Sequence, residues 1–505
     1  MGGRDLRRWL ALALLGVAAL PLYARIRDIA GDVGGNGGLF LWPGLGVTAV
    51  AVAGWWVVSR AQMASKAESG AELVNQHGWW TETALIVGVG VAFRVVFLTA
   101  LPVLSHDAYR YVWDAHLVAH GVSPYAHTVN DPALVSLRDI VIWPKLDWRD
   151  APTIYPPGAQ MLFLLVNAVA PLNIAAMKLA MGLCDLLCGA LSIVLLRQHG
   201  LDPRRSILYW WNPIPVLEFS FTGHVDAAAT LWLLAALVVA NTRRRGARPL
   251  AGALLGMAAL TKLYPLLFVL AMVGRGDGDG AASERGYRGA VRAVARDWRF
   301  VLAVAGTVVL GYLPFLRLGL GSGGFLATYF AQRFVDQGLV FRLVTTLFVN
   351  RPIQMALQAL TLLAICAAVL WLRLRKGLPA EMGVLALSAG WILVSPHLFP
   401  WYVGGLLPLL ALYLKGPGLQ AALDGHTPHT PTSSSTALAF ALWLFVLAMP
   451  FTYVIFAPQG NAGLFDWFFI VPLAIAAYPL ARRRWGHVHH ALPRLAQFIT
   501  TTIKE

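Results

Sequence analysis

Apolar residues along this 505-residue chain gather into long blocks separated by short segments rich in Arg and Lys. A block of about 17–25 apolar residues matches the thickness of a bilayer's hydrocarbon core when coiled into a helix. Runs at 10–24, 39–59, 81–101, 174–196, 300–316, 353–372, 381–396, 400–414, 436–456 and 465–481 predict such helices. Three stretches do not read as single crossings. The run 155–172 begins Tyr155-Pro156-Pro157-Gly158 and ends at Pro171, which predicts a short re-entrant or surface helix. The stretch 206–240 is broken by Asn212-Pro213-Ile214-Pro215 and by Gly223-His224, predicting two helices that meet at an outer turn with His224 and Asp226. The stretch 250–273 lies between two basic loops and breaks near Lys262-Leu263-Tyr264-Pro265, predicting a hairpin of half-helices. Broken helices at membrane depth survive only where protein or a cavity covers their backbone.

Basic residues in short loops mark the cytoplasmic side. The first run follows Arg4, Arg7 and Arg8, and reads either as a signal peptide with a poor cleavage site at Leu22-Tyr23-Ala24 or as a retained helix. Both readings leave residue 25 outside. On the resulting route 27 Lys and Arg fall inside and 10 outside, with Arg94, Lys178 and Lys262 inside apolar runs, an asymmetry that supports the route. The expected fold is an all-α polytopic membrane protein of about 12 transmembrane helices plus the broken hairpin. Its large first extracytoplasmic loop, 102–173, carries short surface helices. Residues 1–80 supply two N-terminal helices, 81–415 the main module, 416–435 a cytoplasmic linker, and 436–505 a C-terminal helix pair with a basic tail. A second flexible linker is expected at 274–286.

Composition excludes most other classes. The chain is 58% hydrophobic and 13% charged, about half the charge of a soluble domain. Its 48 Gly and 29 Pro exclude a simple coiled coil. The net charge of +15 does not indicate nucleic acid, because the basic residues sit in clusters between apolar runs, where they face anionic lipid. Cys184, Cys188 and Cys366 all lie in apolar runs; the first two are spaced i, i+4 but lack a His or further Cys to complete a metal site, so packing is the expected role. No Walker A, Rossmann or HExxH pattern occurs, and no internal repeat supports an inverted-repeat transporter.

Candidate chemistry concentrates in the first outer loop. His106-Asp107 opens an amphipathic helix in which Asp107, Arg110 and Asp114 follow one another by a helical turn, with Tyr111 and Trp113 as interfacial aromatics. Asp107 reads either as a helix N-cap or as a general base taking a proton from an attacking sugar hydroxyl. Such chemistry also needs a cationic or histidine clamp for a leaving phosphate. Lys178, His224, Arg333, Arg342 and His397 are candidates, although Arg333 and Arg342 also fit interfacial snorkelling. His397 lies between Pro396 and Pro400, which hold its backbone on both sides. Lys262 sits in the broken hairpin, either with a functional task or paired with carbonyls freed at the break.

The order "HDAYRYVWD", "GVSPY", "YPPGAQ", "NPIPVLEFSFTGHVDA", "GALLGMAALTKLYP", "SPHLFPWY" resembles the GT-C glycosyltransferases of prokaryotes. It is most similar to the polyprenol-phosphate-mannose-dependent mannosyltransferases and their glycosyltransferase family 87 relatives. The resemblance runs from about residue 81 to 415 and leaves the two N-terminal helices outside. It implies a GT-C-like bundle in which the catalytic acid of the first outer loop is Asp107, flanked by His106, Tyr109, Arg110 and Asp114. It puts the Pro-Pro helix at Tyr155, Pro156, Pro157 and Gln160, and the acid of the second outer turn at Asp226 beside His224. The late outer histidine near the lipid phosphate falls on His397, followed by Trp401 and Tyr402. The first-loop DxD that binds a divalent metal in some relatives reads His106-Asp107-Ala108 here, so no metal ligand pair carries over and no cofactor is implied beyond the polyprenyl-phosphate sugar donor.

The expectation is therefore a plasma (inner) membrane hexosyltransferase, monomeric, with its site on the extracytoplasmic side. It would move a hexose, mannose first among them, from polyprenyl phosphate to a glycan or glycolipid, and inversion of a β-linked donor would give an α-glycoside. A secondary transporter or lipid-linked sugar flippase is the alternative; it would carry ionisable residues near the midplane, whereas these gather at outer loops. A membrane assembly protein with no site is a third reading, opposed by the clustered His, Asp and Arg.

Overall fold

The structure, a computed structural model, describes residues 3–32, 37–69, 79–242, 244–274, 287–319, 338–414, 433–456 and 462–484. These form helices and turns, with no strand among the described residues. α1 (Gly3–Ile29) packs on α2 (Gly38–Ser69) and on α3 (Trp79–Val95). After α3 the chain runs into the polar loop, which holds α4 (Asp107–Ala119), two 3-10 turns and α5 (Pro157–Val169). Pro157 stands at the first helical position of α5, where its missing N–H costs nothing. α6 (Ile174–Gln198) starts at Asn173, whose side chain accepts from the Ala176 N–H at 3.0 Å.

The two broken stretches follow. α7 (Ile207–Trp210) leads through Asn212-Pro213 into a π-helix, Pro215–Phe221, which meets α8 (Asp226–Ala240) at an angle of 111°. α9 (Ala247–Thr261) stops at Lys262, whose backbone is extended, and the chain resumes as a 3-10 turn (Tyr264–Phe268) and α10 (Val269–Met272). Fifteen residues of α-helix measure about 22 Å, so α8 and α9 are each shorter than the roughly 30 Å hydrocarbon core. α11 (Tyr287–Arg296) and α12 (Trp298–Leu318) lead on to helices Leu339–Leu347, Arg351–Lys376, Ala380–Val394, Leu407–Tyr413, Ser433–Ala448, Thr452–Ile455 and Trp467–Arg484.

Six helices among the described residues are long and apolar enough to cross a membrane, and counting the bent pair of π-helix and α8 as a single span gives seven. The expected crossings at 381–396, 400–414 and 465–481 fall on shorter apolar helices, Ala380–Val394, Pro400–Tyr413 and Leu464–Ile475, and so do α5, expected as a re-entrant or surface helix, and the half-helix α9. The apolar helices among the described residues thus divide into a set of long spans and a set of short or broken ones. The expected linkers at 274–286 and 416–435 lie, except at their edges, outside the described residues.

The polar ends of the helices sort to two poles. At one pole Glu82 at the start of α3 binds Arg8 of α1 and Arg204, and Glu381 binds His199 after α6 and Asn241 after α8. Arg248 at the start of α9 pairs with Asp297. At the other pole lie the end of α3, the starts of α6 and α8, the end of α9 and the end of Ala380–Val394. The outer loop folds over this second pole. A separate apolar cluster of Tyr109, Tyr111, Trp113, Tyr155 and Phe163 seats it on Met177 of α6 and on Val225 and Ala228 at the start of α8.

Candidate active site

Chain segments distant in sequence meet at the second pole. Asp107 is the first residue of α4, and the cap position before it belongs to His106 with no side-chain cap bond. The N-cap reading of Asp107 is therefore corrected: its carboxylate points elsewhere. Asp107 Oδ2 accepts a 3.0 Å hydrogen bond from the Tyr155 hydroxyl and stands 3.8 Å from His224 Nε2. Its side chain keeps 28% of its surface open. Burial pushes the carboxyl above the usual aspartate range, against the Lys262 ammonium and the Tyr155 hydrogen bond, which pull it down.

Two close approaches set this geometry. Gly158 lies so near α9 that a Cβ there would stand 2.7 Å from Leu260 Cβ, which brings the Tyr155 segment against the end of α9. Lys262, just beyond, puts Nζ 3.1 Å from Asp226 Oδ2 and 5.6 and 5.2 Å from the ring centres of Tyr155 and Tyr402. The pairing answers the question left open at Lys262: its partner is a carboxylate, not a carbonyl freed at the break. Gly223 has φ +76, a conformation that favours glycine, and a Cβ there would stand 3.2 Å from Lys178 Cγ and 3.7 Å from Ala108 Cβ. The turn before His224 thus sits between Lys178 and the residue after Asp107.

His224 is buried. Its Nδ1 lies 2.9 Å from the Glu218 carbonyl oxygen and 2.7 Å from Thr222 Oγ1, and its Nε2 lies 3.1 Å from Ser105 Oγ. The ring stacks on Trp401 at 3.8 Å, Trp401 on Phe399 at 4.5 Å, and Phe399 on His397 at 6.4 Å. His397 is thus joined to the cluster through an aromatic ladder, and it is itself buried, with its carbonyl held by the Ser395 hydroxyl. Lys178 Nζ donates to the carbonyl oxygens of Phe97, at 3.2 Å, and Ala100, both just past the end of α3. It lies on the wall of a cleft between α3 and α6 lined by Val91, Val95, Leu98, Leu183 and Leu186.

Other expected site residues have different surroundings. Asp114 and Gln160 are completely buried, which closes them to a substrate. Asp114 accepts from Arg110 Nε at 2.8 Å, from the Thr153 hydroxyl and from Gln160 Nε2 at 3.0 Å, so the four residues tie α4 to α5 and to the segment before it. Tyr109 is packed into the outer-loop core, and His106 binds Asp147 at 3.1 Å on the rim. Arg342 pairs with Asp466 at 2.8 Å, before the last helix. Arg333 lies outside the described residues. Arg94, conspicuous within its apolar run, forms a two-pronged ion pair with Asp185 at 2.7 and 3.0 Å and has a structural task.

The cluster combines an open carboxylate, a buried imidazole and an ammonium–carboxylate pair at one end of a membrane bundle. A family model described as the alpha-(1->6)-mannopyranosyltransferase N-terminal domain of the MptA_B family matches residues 10–275. The chain belongs to this family. It is a membrane mannosyltransferase. The match takes in both N-terminal helices, which the motif resemblance left outside, and it includes Asp107, Tyr155, His224, Asp226 and Lys262. The aromatic ladder from His397 lies beyond it. No curated protein matches the mannosyltransferase chain.

The site also contains residues that the sequence reading gave no role. Ser105 bridges His224 and the Asp107 N–H. Glu218 is a fully buried acid in the π-helix, and its carboxylate accepts from the Tyr453 hydroxyl at 2.9 and 3.1 Å. Glu218 carried a visible signal, since an acid in an apolar stretch of a membrane protein marks function. Tyr453, 235 residues away, carried none.

Proposed function

We propose that this mannosyltransferase moves a mannosyl residue from a polyprenyl-phosphate donor to a hydroxyl of an extracytoplasmic glycan or glycolipid, with inversion. The family description suggests the 6-hydroxyl of a mannose as the acceptor. The carrying observation is Asp107, an open carboxylate held by Tyr155 beside the Lys262 ammonium. In the reaction the acceptor oxygen attacks the anomeric carbon, the bond from that carbon to the phosphate oxygen breaks, and Asp107 takes the hydroxyl proton. The electron pair leaves with polyprenyl phosphate, whose charge needs cations close by.

Lys178 and Lys262 are the proposed cationic clamp, with the buried His397 behind them at the end of the aromatic ladder. The cleft beside Lys178 supports a lipid-linked donor: leucine and valine side chains line it, and an ammonium stands on its wall. An isoprenoid chain fits such walls, and a phosphate fits such a group. Tyr402, beside the Lys262 ammonium, adds an aromatic surface against which a sugar ring packs. The bundle is of GT-C type in this reading. It acts as a monomer in the plasma membrane, with the second pole facing the cell envelope and no nucleic acid partner.

Purified enzyme in bilayer discs, given a panel of labelled polyprenyl-phosphate sugars and nucleotide sugars, tests the donor. Transfer from polyprenyl-phosphate mannose alone is expected; transfer from GDP-mannose in its absence would overturn the reading. Sidedness has its own test in a background lacking the native cysteines. Asn130→Cys should react with an impermeant maleimide on intact cells, and Gly280→Cys only after permeabilisation.

A further inference from the structure

Behind Asp107 lies a second acid that the proposed reaction does not use. Glu218 has no exposed surface, and its carboxylate Oε2 stands 3.4 Å from His224 Nδ1 while both oxygens face the Tyr453 hydroxyl. Burying a carboxylate costs several kcal/mol unless partners compensate, and one-turn π-helices of the kind that carries Glu218 concentrate at functional sites. The imidazole's orientation follows from its contacts. A backbone carbonyl can only accept, so the 2.9 Å contact to Glu218 O puts the proton on Nδ1. Nε2 then carries the lone pair, directed at Ser105 Oγ at 3.1 Å and Asp107 Oδ2 at 3.8 Å.

We infer that His224 is the proton relay partner of Asp107, and that Glu218 and Tyr453 are its positioning residues. The inference rests on the reading of Asp107 as the base. After Asp107 has taken the acceptor's proton, that proton passes to His224 Nε2, which stands 3.8 Å from Asp107 Oδ2. The Asp107 O–H bond breaks, an N–H bond forms, and Asp107 returns to a carboxylate. The imidazolium is balanced by the Glu218 carboxylate. When the product leaves, the proton returns through Asp107 to water at its open face. The titratable groups facing His224 are Asp107, Glu218 and Lys262, with Tyr111 of α4 accepting from the neighbouring Val225 N–H, Asp226 paired to Lys262, Lys178 beyond Gly223 and Tyr453 behind Glu218.

Mannosyl transfer by the full-length chain, measured against pH for Glu218→Gln, His224→Gln, Tyr453→Phe and Asp107→Asn, tests this. Glu218→Gln keeps the shape and can still accept from Tyr453, but removes the charge that balances the imidazolium. Its turnover and that of His224→Gln should fall about 10-fold or more, with donor KM and thermal midpoint little changed. The acid limb of the Glu218→Gln profile should move to lower pH, because a negative charge beside His224 and Asp107 is gone. Tyr453→Phe should show a smaller fall and, being remote from substrate, no change in KM. Wild-type turnover and an unmoved limb in Glu218→Gln would overturn the relay, as would losses that track only the loss of folded protein across both Glu218→Gln and Tyr453→Phe. Should Asp107→Asn retain wild-type turnover, the base assignment itself fails, a result distinct from an inactive Asp107→Asn beside an active His224→Gln.

Discussion

Asp107 and Asp114 lie seven residues apart on one helix, and their surroundings differ in kind. Asp114 is sealed, with Arg110, Thr153 and Gln160 all donating to it. Asp107 takes one hydrogen bond, from Tyr155, and keeps an open face towards His224 and Lys262. A carboxylate whose lone pairs are all occupied holds structure, because any new partner must displace an old one. A carboxylate with free lone pairs at a cavity mouth can take a proton from an incoming group. The two acids thus divide the outer loop's work, one fastening α4 to the segment before α5 and one offered to the substrate.

The largest effect expected from this contrast is in turnover. Asp107→Asn retains an oxygen that accepts from Tyr155, yet it cannot take the acceptor's proton, so transfer should fall by about 10²–10⁴-fold. Because Asp107 provides no helix cap, the thermal midpoint should stay close to wild type. Near-normal transfer by this variant would move the base to Asp226, the other acid at the outer end of a helix in the cluster. Asp114→Ala should show the reverse pattern. Breaking a buried ion pair from one side costs roughly 3–5 kcal/mol, so the folded yield and thermal midpoint should drop, while transfer per folded molecule survives; a stable but inactive variant would erase the distinction drawn here.

The smallest effect concerns pH. Transfer requires Asp107 without its proton, so activity should rise with pH through a limb lying above the usual aspartate range, since burial raises this carboxyl. Tyr155→Phe removes a hydrogen bond that favours the charged form, and should move that limb to still higher pH. A limb that stays put in Tyr155→Phe would mean that another group governs it.

Much of this arrangement was legible in the chain. The breaks at Gly223-His224 and Lys262 stood out against continuous apolar runs, and both proved to be corners of the cluster. The same logic points to Glu218, an acid within an apolar stretch. Helical spacing sets Asp114 near Asp107, and the motif resemblance adds Gln160. Nothing local announces that Thr153 and Arg110 close around them. Arg342 looked equivalent to the other outer cations, and its partnership with Asp466 depends on a helix more than a hundred residues later.

The alternation of the helices and the pole at which each polar end lies follow from the sequence by itself. The cost of putting a charge or a bare peptide group into hydrocarbon is large and local, so each run and each basic loop can be judged separately. Which polar residue is open and which is sealed was decided only by the tertiary structure. Saturation of a carboxylate depends on hydrogen-bond donors whose reach is about 3 Å, and these come from segments as far apart as Tyr155, Lys262 and Tyr453. Their meeting rests on close backbone approaches such as those at Gly158 and Gly223, which no spacing along the chain encodes.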